Sequence, residues 1–270
     1  MATPRRTFLY HANAHVLSAQ FTRPIQHLVE VQGASSLSSM GGHGRAIVEN
    51  VGLDHFVSVK RGYSHVSGSE QDKDGKKYFT TLVTSVAEGV NLLDVVTADR
   101  IVGRYASSYA FDDPEPEFSF LGSRFENLQI AGLRITVEIN YAFDQVSTFK
   151  KAINGFKGHP ELGKITMDAL ETDKSYEDQE IHGAILYTIV DVAKLKSTIK
   201  ELQVSLPAVD CRGYCVVIPK FGRLYLGEIL MQRGRRSLTM LRFELGSPSA
   251  GGGTLVQLDG NGQQWPPTHG

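Results

Sequence analysis

From Phe79 the chain reads FTTLVTSVAEGVNLLDVVTADRIVGRYASSY, and after an acidic, proline-broken turn it continues from Phe118 to Tyr141 as FSFLGSRFENLQIAGLRITVEINY. Both runs carry an inner turn, Glu88-Gly89 with Asn91 in the first and Ala131-Gly132 in the second. In the second run Leu133, Ile135, Val137, Ile139 and Tyr141 alternate with Arg134, Thr136, Glu138 and Asn140. A period of two throws successive side chains to opposite faces of an extended backbone and does not fit the 3.6-residue period of a helix. This pattern predicts a β protein.

Upstream, Phe8 to Phe21 and Ile25 to Gln32 read as strands, the second with Ile25, His27, Val29 and Val31 on one face and Gln26, Leu28, Glu30 and Gln32 on the other. A Ser/Gly loop follows over residues 34–44, long enough to lie over a site. Ala46 to Val51 and Phe56 to Val59 are strands around Gly52, and Asp74-Gly75 marks a hairpin tip. Asn50, Asn91 and Asn127 each precede alternating apolar residues, a loose echo that suggests stacked similar units; asparagine's taste for turns accounts for it equally well.

Downstream of Tyr141 the period changes. Ser147 suits the N-cap of a short helix carrying Phe149, Ile153 and Phe156. Ile181 to Val190 returns to strand, and Asp191 caps a second helix with Val192, Leu195, Ile199 and Leu202 on one face. CVVIPKFGRLYLGEILMQ and SLTMLRFEL are strands joined by the turn RGRR at 233–236. Beyond Gly246 lie a loop, the short strand TLVQLD and a Gly/Pro-rich end. The expectation is a mainly β fold, a β-sandwich or else a solenoid-like stacked sheet, with a small α-helical insertion. Residues 1–245 form a single β-rich domain, with the insertion at about 144–202, and residues 246–270 form a tail with one short strand.

The 270 residues are 41% hydrophobic and 21% charged, enough to bury a core, and the net charge of -1 supplies no global field for nucleic acid or an anionic surface. No run of about 18 apolar residues exists, so no membrane span is expected. The start, MATPRRTFLYHANAHVLSAQ, has no apolar core of a secretory signal, which points to a cytoplasmic protein. Cys211 and Cys215 in CRGYC read as free, partly buried thiols, because a four-residue extended span exceeds disulfide reach.

Three strings, VNLLDVVTADRIV, LGSRFENLQIAG and FGRLYLGEILMQRGRRSLTMLRFELGSP, resemble an uncharacterised group of bacterial hypothetical proteins. The first two also resemble, distantly, the VTAD-containing β repeats of choice-of-anchor surface proteins. The resemblance covers about two thirds of the chain and implies a β-rich bacterial protein without implying any chemistry. The absence of a secretion signal and a C-terminal anchor departs from the surface-protein pattern.

Several residues invite a chemical reading. His11 and His15 share a strand face but sit too far apart for one metal ion. Asp112, Asp113, Glu115 and Glu117 concentrate hard oxygen ligands that would suit calcium, although the prolines between them splay the side chains into a solvated loop. Glu228, placed by alternation on the face of Leu224, Leu226 and Leu230, must find a donor such as Arg223 or Arg242, or shift its pKa. Glu228 and Asp99 are thus the candidate catalytic acids, with a structural ion pair and a turn cap as their plainer roles. Arg223, Arg233, Arg235, Arg236 and Arg242 form the one basic cluster, suited to a phosphate or an acidic partner, or to discouraging edge pairing.

No glycine-rich phosphate loop, nucleophile elbow, HExxH or paired-cysteine motif is present, and no cofactor is implied. Three functions follow as expectations. The first is a non-enzymatic structural or interaction protein that self-associates, as a homo-oligomer, through sheet edges. The second is a hydrolase or carbohydrate-processing enzyme with acidic residues on a β face, and the third a small-ligand binding protein.

Overall fold

The computed structural model describes residues 7–111, 113, 116–140, 148, 151, 184–232 and 235–265. The first strands are β1 (Thr7–Arg23), β2 (His27–Gln32), β3 (Ser35–Ser36), β4 (Gly42–Leu53), β5 (Val57–Lys73), β6 (Lys76–Leu92) and β7 (Val96–Ala110). Four short strands follow, β8 (Glu117–Ser119), β9 (Arg124–Glu126), β10 (Gln129–Ile130) and β11 (Leu133–Arg134). After β12 (Ala184–Thr188) comes the one described helix, α1 (Val192–Leu202). The chain closes with β13 (Asp210–Arg212), β14 (Cys215–Ile218), β15 (Gly222–Gln232), β16 (Arg235–Leu245) and β17 (Ala250–Trp265).

These strands make two antiparallel sheets. The first runs in the order β13-β14-β15-β16-β17-β1-β2, with β12 added to β15 and β3 to β1; the second runs β11-β10-β7-β6-β5-β4, with β8 and β9 added to β7. The sheets pack face to face in a β-sandwich, with a core of Val16, Leu17, Phe21, Val83, Ile101, Tyr105, Leu226, Leu241 and Leu258 between them. Their separation is small where β1 crosses β5: a Cβ on Gly62 would stand 2.4 Å from Val16 Cγ1. The β5–β6 hairpin turns at Asp74-Gly75, both at positive φ (53° and 74°), as a two-residue type I′ turn requires.

A crease runs across each sheet and organises the edges. In β1 the buried positions are Ala12, Ala14 and Val16 and then Leu17, Ala19 and Phe21, so the inward face changes parity at one point. The same change occurs in β15, where Leu224 and Leu226 give way to Ile229 and Met231, and in β16, where Leu238 and Met240 give way to Leu241 and Phe243. In β15 and β17 the crease is set by left-handed residues, Gly227 at φ 62° and Val256 at φ 57°. In the second sheet Asn50 (52°), Gly89 (61°) and Asn127 (51°) play that part. A left-handed residue rotates the strand without adding a residue, so the registers on either side stay aligned. The crease also divides partners: β3 and β2 meet β1 on opposite sides of Val16, and β14 and β12 meet β15 on opposite sides of Gly227. Two of the three echoing asparagines therefore have a structural role, whereas in the middle unit the role falls to Gly89 and not to Asn91.

Two expectations change. The region beyond Gly246 does not hold one short strand: β17 spans 16 residues and lies between β16 and β1 in the middle of its sheet. Its glycines mark close approach, since a Cβ on Gly262 would stand 2.2 Å from the ring of Phe8 and one on Gly260 2.6 Å from that of Tyr105. Residues 133–140 keep their alternation, with Ile135 buried and Thr136 and Glu138 exposed, but only Leu133 and Arg134 join a ladder. The segment then leaves one sheet for the other, bridging Ile139 to Val190 while Asn140 N–H donates to the Ile189 carbonyl at 2.7 Å. Alternation reports burial on one side, and a crossover between sheets satisfies it as well as a strand does.

The helix over 192–202 forms as expected, with the Asp191 carboxylate accepting from Lys194 N–H and with Val192, Leu195, Ile199 and Leu202 buried. The helix expected from Ser147 and the rest of the insertion lie outside the described residues. No helix among the described residues is long and apolar enough to cross a membrane.

Candidate functional site

The β15–β16 hairpin carries the sequence's strongest chemical candidates on its outer face. Because Gly227 reverses the strand's parity, Glu228 does not share the face of the buried Leu224 and Leu226; it shares that of Tyr225. There the Arg242 guanidinium holds it with two parallel bonds, Nε to Oε1 at 3.0 Å and Nη2 to Oε2 at 2.8 Å. Tyr214 O–H donates to the same carboxylate at 3.3 Å. Arg242 also donates to Glu244 at 2.5 Å and stacks over Tyr225, with 3.7 Å between guanidinium carbon and ring centroid. Burial alone would lower the Arg242 pKa, but the bonds to Glu228 and the charges of Glu228 and Glu244 outweigh it and raise it. Burial, reinforced by the Glu228 charge, pushes the Tyr214 phenol up. Glu228 is thus half of a paired, hydrogen-bonded unit.

Asp99 lies opposite Gly89 on the crease of the second sheet, where its carboxylate accepts from the Asn127 amide at 3.2 Å. That bond ties β7 to the turn between β9 and β10. Of the acidic segment, Asp113 donates its N–H to the Ala110 carbonyl and Glu117 faces Lys151 at 3.8 Å; Asp112 and Glu115 lie outside the described residues.

The arginines do not gather at one end. Arg223 and Arg242 sit toward the open end of the hairpin, and Arg236 sits next to its turn, an extended span of roughly 20–27 Å away. Arg236 is fully buried between the sheets, 5.1 Å from the Phe118 ring centroid. Arg233 lies outside the described residues, as does the side chain of Arg235. Cys211 and Cys215 are free thiols on a β13–β14 hairpin that turns at Gly213-Tyr214; burial pushes the Cys211 thiol up to about 12 and raises Cys215 as well.

Beside Arg242, the outer face forms an open groove of about 590 Å³. Gly252, Gly253 and Thr254 make its floor, Arg242 and Glu244 one wall, and Leu28 to Val31 the other. At its floor Ser18 and Thr254 hydroxyls lie 3.0 Å apart, each 3.4 Å from His15 Nε2, and burial lowers the His15 pKa.

The feature least visible in the sequence is the flank where β2, the loop after it and β4 meet. Among the described residues nine large hydrophobic side chains are exposed, and five of them lie on this one segment: Ile25, Leu28, Val31, Met40 and Ile47. Leu28 is 62% exposed, Met40 78% and Ile47 48%, while of the β2 positions only Val29 is buried. Leu28 and Val31 line the outer face of the first sheet, and Ile47 stands on the outward row of β4 in the second, so the exposed apolar residues mark both strands. Both strands are edges: β2 ends the first sheet, and β4, 12 residues long, ends the second with no strand on its far side among the described residues. The sequence carries one clue to it. Leu28 falls on what alternation makes the polar face of β2, while Val31 falls on the opposite one, so an apolar residue was bound to face away from the core on each reading.

The chain belongs to the family described as a domain of unknown function, DUF8256, whose model matches residues 8–232. No curated protein and no solved structure matches it, and nothing ties it to the choice-of-anchor repeats.

Proposed function

We propose that this protein is a non-enzymatic interaction module that self-associates through the flank formed by β2 and β4. The observation that carries the reading is the coincidence of two features on one side of the sandwich. Both strands carry exposed apolar side chains, and among the described residues neither has a neighbour on its outer side. An edge strand presents unpaired N–H and C=O groups at strand spacing, and sheet proteins ordinarily blunt such edges with lysine, proline or a covering element. β4 has neither residue type, and β2 has neither within its strand. A second copy of the same chain supplies the complementary edge and covers the apolar residues at once. The hydrolase reading is weakened by the pairing of Glu228 with Arg242, which leaves that carboxylate bonded to three donors.

Light scattering coupled to size-exclusion chromatography tests the reading. A mass above that of one chain, falling to monomer in Leu28→Lys and Ile47→Lys variants, is the expected result. A monomer at every concentration overturns it.

A second reading, small-ligand binding, draws on the groove beside Arg242. Its mixed walls, apolar from Leu28 and Val31 and charged from Arg242 and Glu244, suit a ligand with one apolar and one hydrogen-bonding side. A panel of such compounds that leaves the melting temperature unchanged would count against it.

A further inference from the structure

We infer that two copies pair β4 to β4 antiparallel about a two-fold axis through Ile47, joining the second sheets of both into one continuous sheet. This rests on the self-association reading above and gives it a register. Through the stretch before Asn50, His43, Arg45, Ile47 and Glu49 are exposed while Gly44, Ala46 and Val48 are half-buried, so β4 presents one regular outward row. In an isologous strand pair centred on residue 47, each position meets the position equally far on the other side of the axis. Arg45 then faces Glu49 of the second copy, Glu49 faces its Arg45, and Ile47 meets itself. Opposite charges directly across a strand pair stabilise it, and like charges oppose it.

Every other centre on the exposed row fares worse. An axis through Arg45 or Glu49 would set like charge on like charge, and one through His43 would carry Ile47 beyond the end of the strand. The left-handed turn at Asn50 limits the flat, pairable run at its C-terminal end and so favours a centre near the middle of that run. The same pairing sets the two exposed Ile47 side chains against each other, which no other axis does.

Cross-linking reads the axis directly. Residues opposed on neighbouring antiparallel strands have Cα atoms about 4.5–5.5 Å apart, within disulfide reach. Ile47→Cys is therefore expected to form a covalent dimer with diamide as oxidant, under conditions where the parent protein, with its buried thiols, does not. Arg45→Cys alone is expected to stay uncross-linked, because its own copy lies roughly 13 Å away along the pair.

Charge exchange gives a second readout. Arg45→Glu and Glu49→Arg should each weaken association about tenfold, and mixing the two variants should restore a heterodimer, since each then offers the other opposite charges. Within one chain Glu49 also faces Arg61, so a thermal melt establishes that Glu49→Arg is folded, and the cysteine pair stands if it is not. A parent protein that associates while Ile47→Cys fails to cross-link overturns this register and leaves the flank reading intact. A parent that is monomeric throughout overturns both.

Discussion

Glu228 and Arg242 meet across the outer face of the β15–β16 hairpin as a bidentate pair, at 2.8 and 3.0 Å, with Tyr214 completing the carboxylate's partners. The Glu228 side chain is 14% exposed and that of Arg242 28%, so removing either leaves the other charge poorly solvated. Arg242→Met is expected to cost about 3 kcal/mol in urea unfolding, and pairing it with Glu228→Gln should recover much of that loss. A catalytic Glu228 would be recognised by a different outcome, a loss of turnover in Glu228→Gln with the melting temperature unchanged.

Gly227 tests the crease. Its φ of 62° is unfavourable for any side chain, and a Cβ there would stand 2.8 Å from Val190 Cγ2 and 3.0 Å from Ile189 Cγ1. Gly227→Ala should destabilise the fold by about 1–2 kcal/mol from the backbone alone, with the clash added. Asn50→Gly, at the matching exposed position of the other sheet, should be neutral or mildly stabilising, and chemical denaturation of the two variants compares them.

His15 should set part of the acid sensitivity. Burial lowers its pKa, so the unfolded chain takes up a proton before the folded one. The stability this neutral imidazole permits is fully present above its unfolded pKa of about 6.5 and declines as pH falls through that value toward the lower folded one. His15→Gln should flatten the slope of stability against pH in this window. An unchanged slope would show that the hydroxyls of Ser18 and Thr254 accommodate the imidazolium.

Burial pushes the Cys211 thiol up to about 12 and raises Cys215 too, and the thiolate is the reacting form. Both cysteines should therefore alkylate far more slowly at pH 8 in the folded protein than in urea, as mass spectrometry of the labelled chain would record.

The β character was legible because alternation and β-branched residues agree over β5 to β7, and the helix at 192–202 because cap, stripe and charge agree. Where the reading slipped, one residue had two physical meanings. Glycine at 260 and 262 signals a turn or a place where another ring comes close, and nothing local distinguishes them. A left-handed Gly227 inverts the face assignment of every residue after it, which is why alternation sets Glu228 on the wrong side, although its partner Arg242 is one of the two donors the sequence offers. The arginines were grouped by a turn whose strands carry them to opposite ends, and Arg236 proved to be a core residue. Edge position is a property of sheet order, and no local pattern shows that β4 has β5 as its sole ladder partner among the described residues.

The most direct measurement of the central claim is amide hydrogen exchange followed across a dilution series, read on the peptide spanning 42–53. Edge-to-edge assembly predicts that protection in this strand grows with protein concentration while the β5–β6 hairpin tip stays the same. Exchange there that is fast and indifferent to concentration, in a protein otherwise folded, would contradict it.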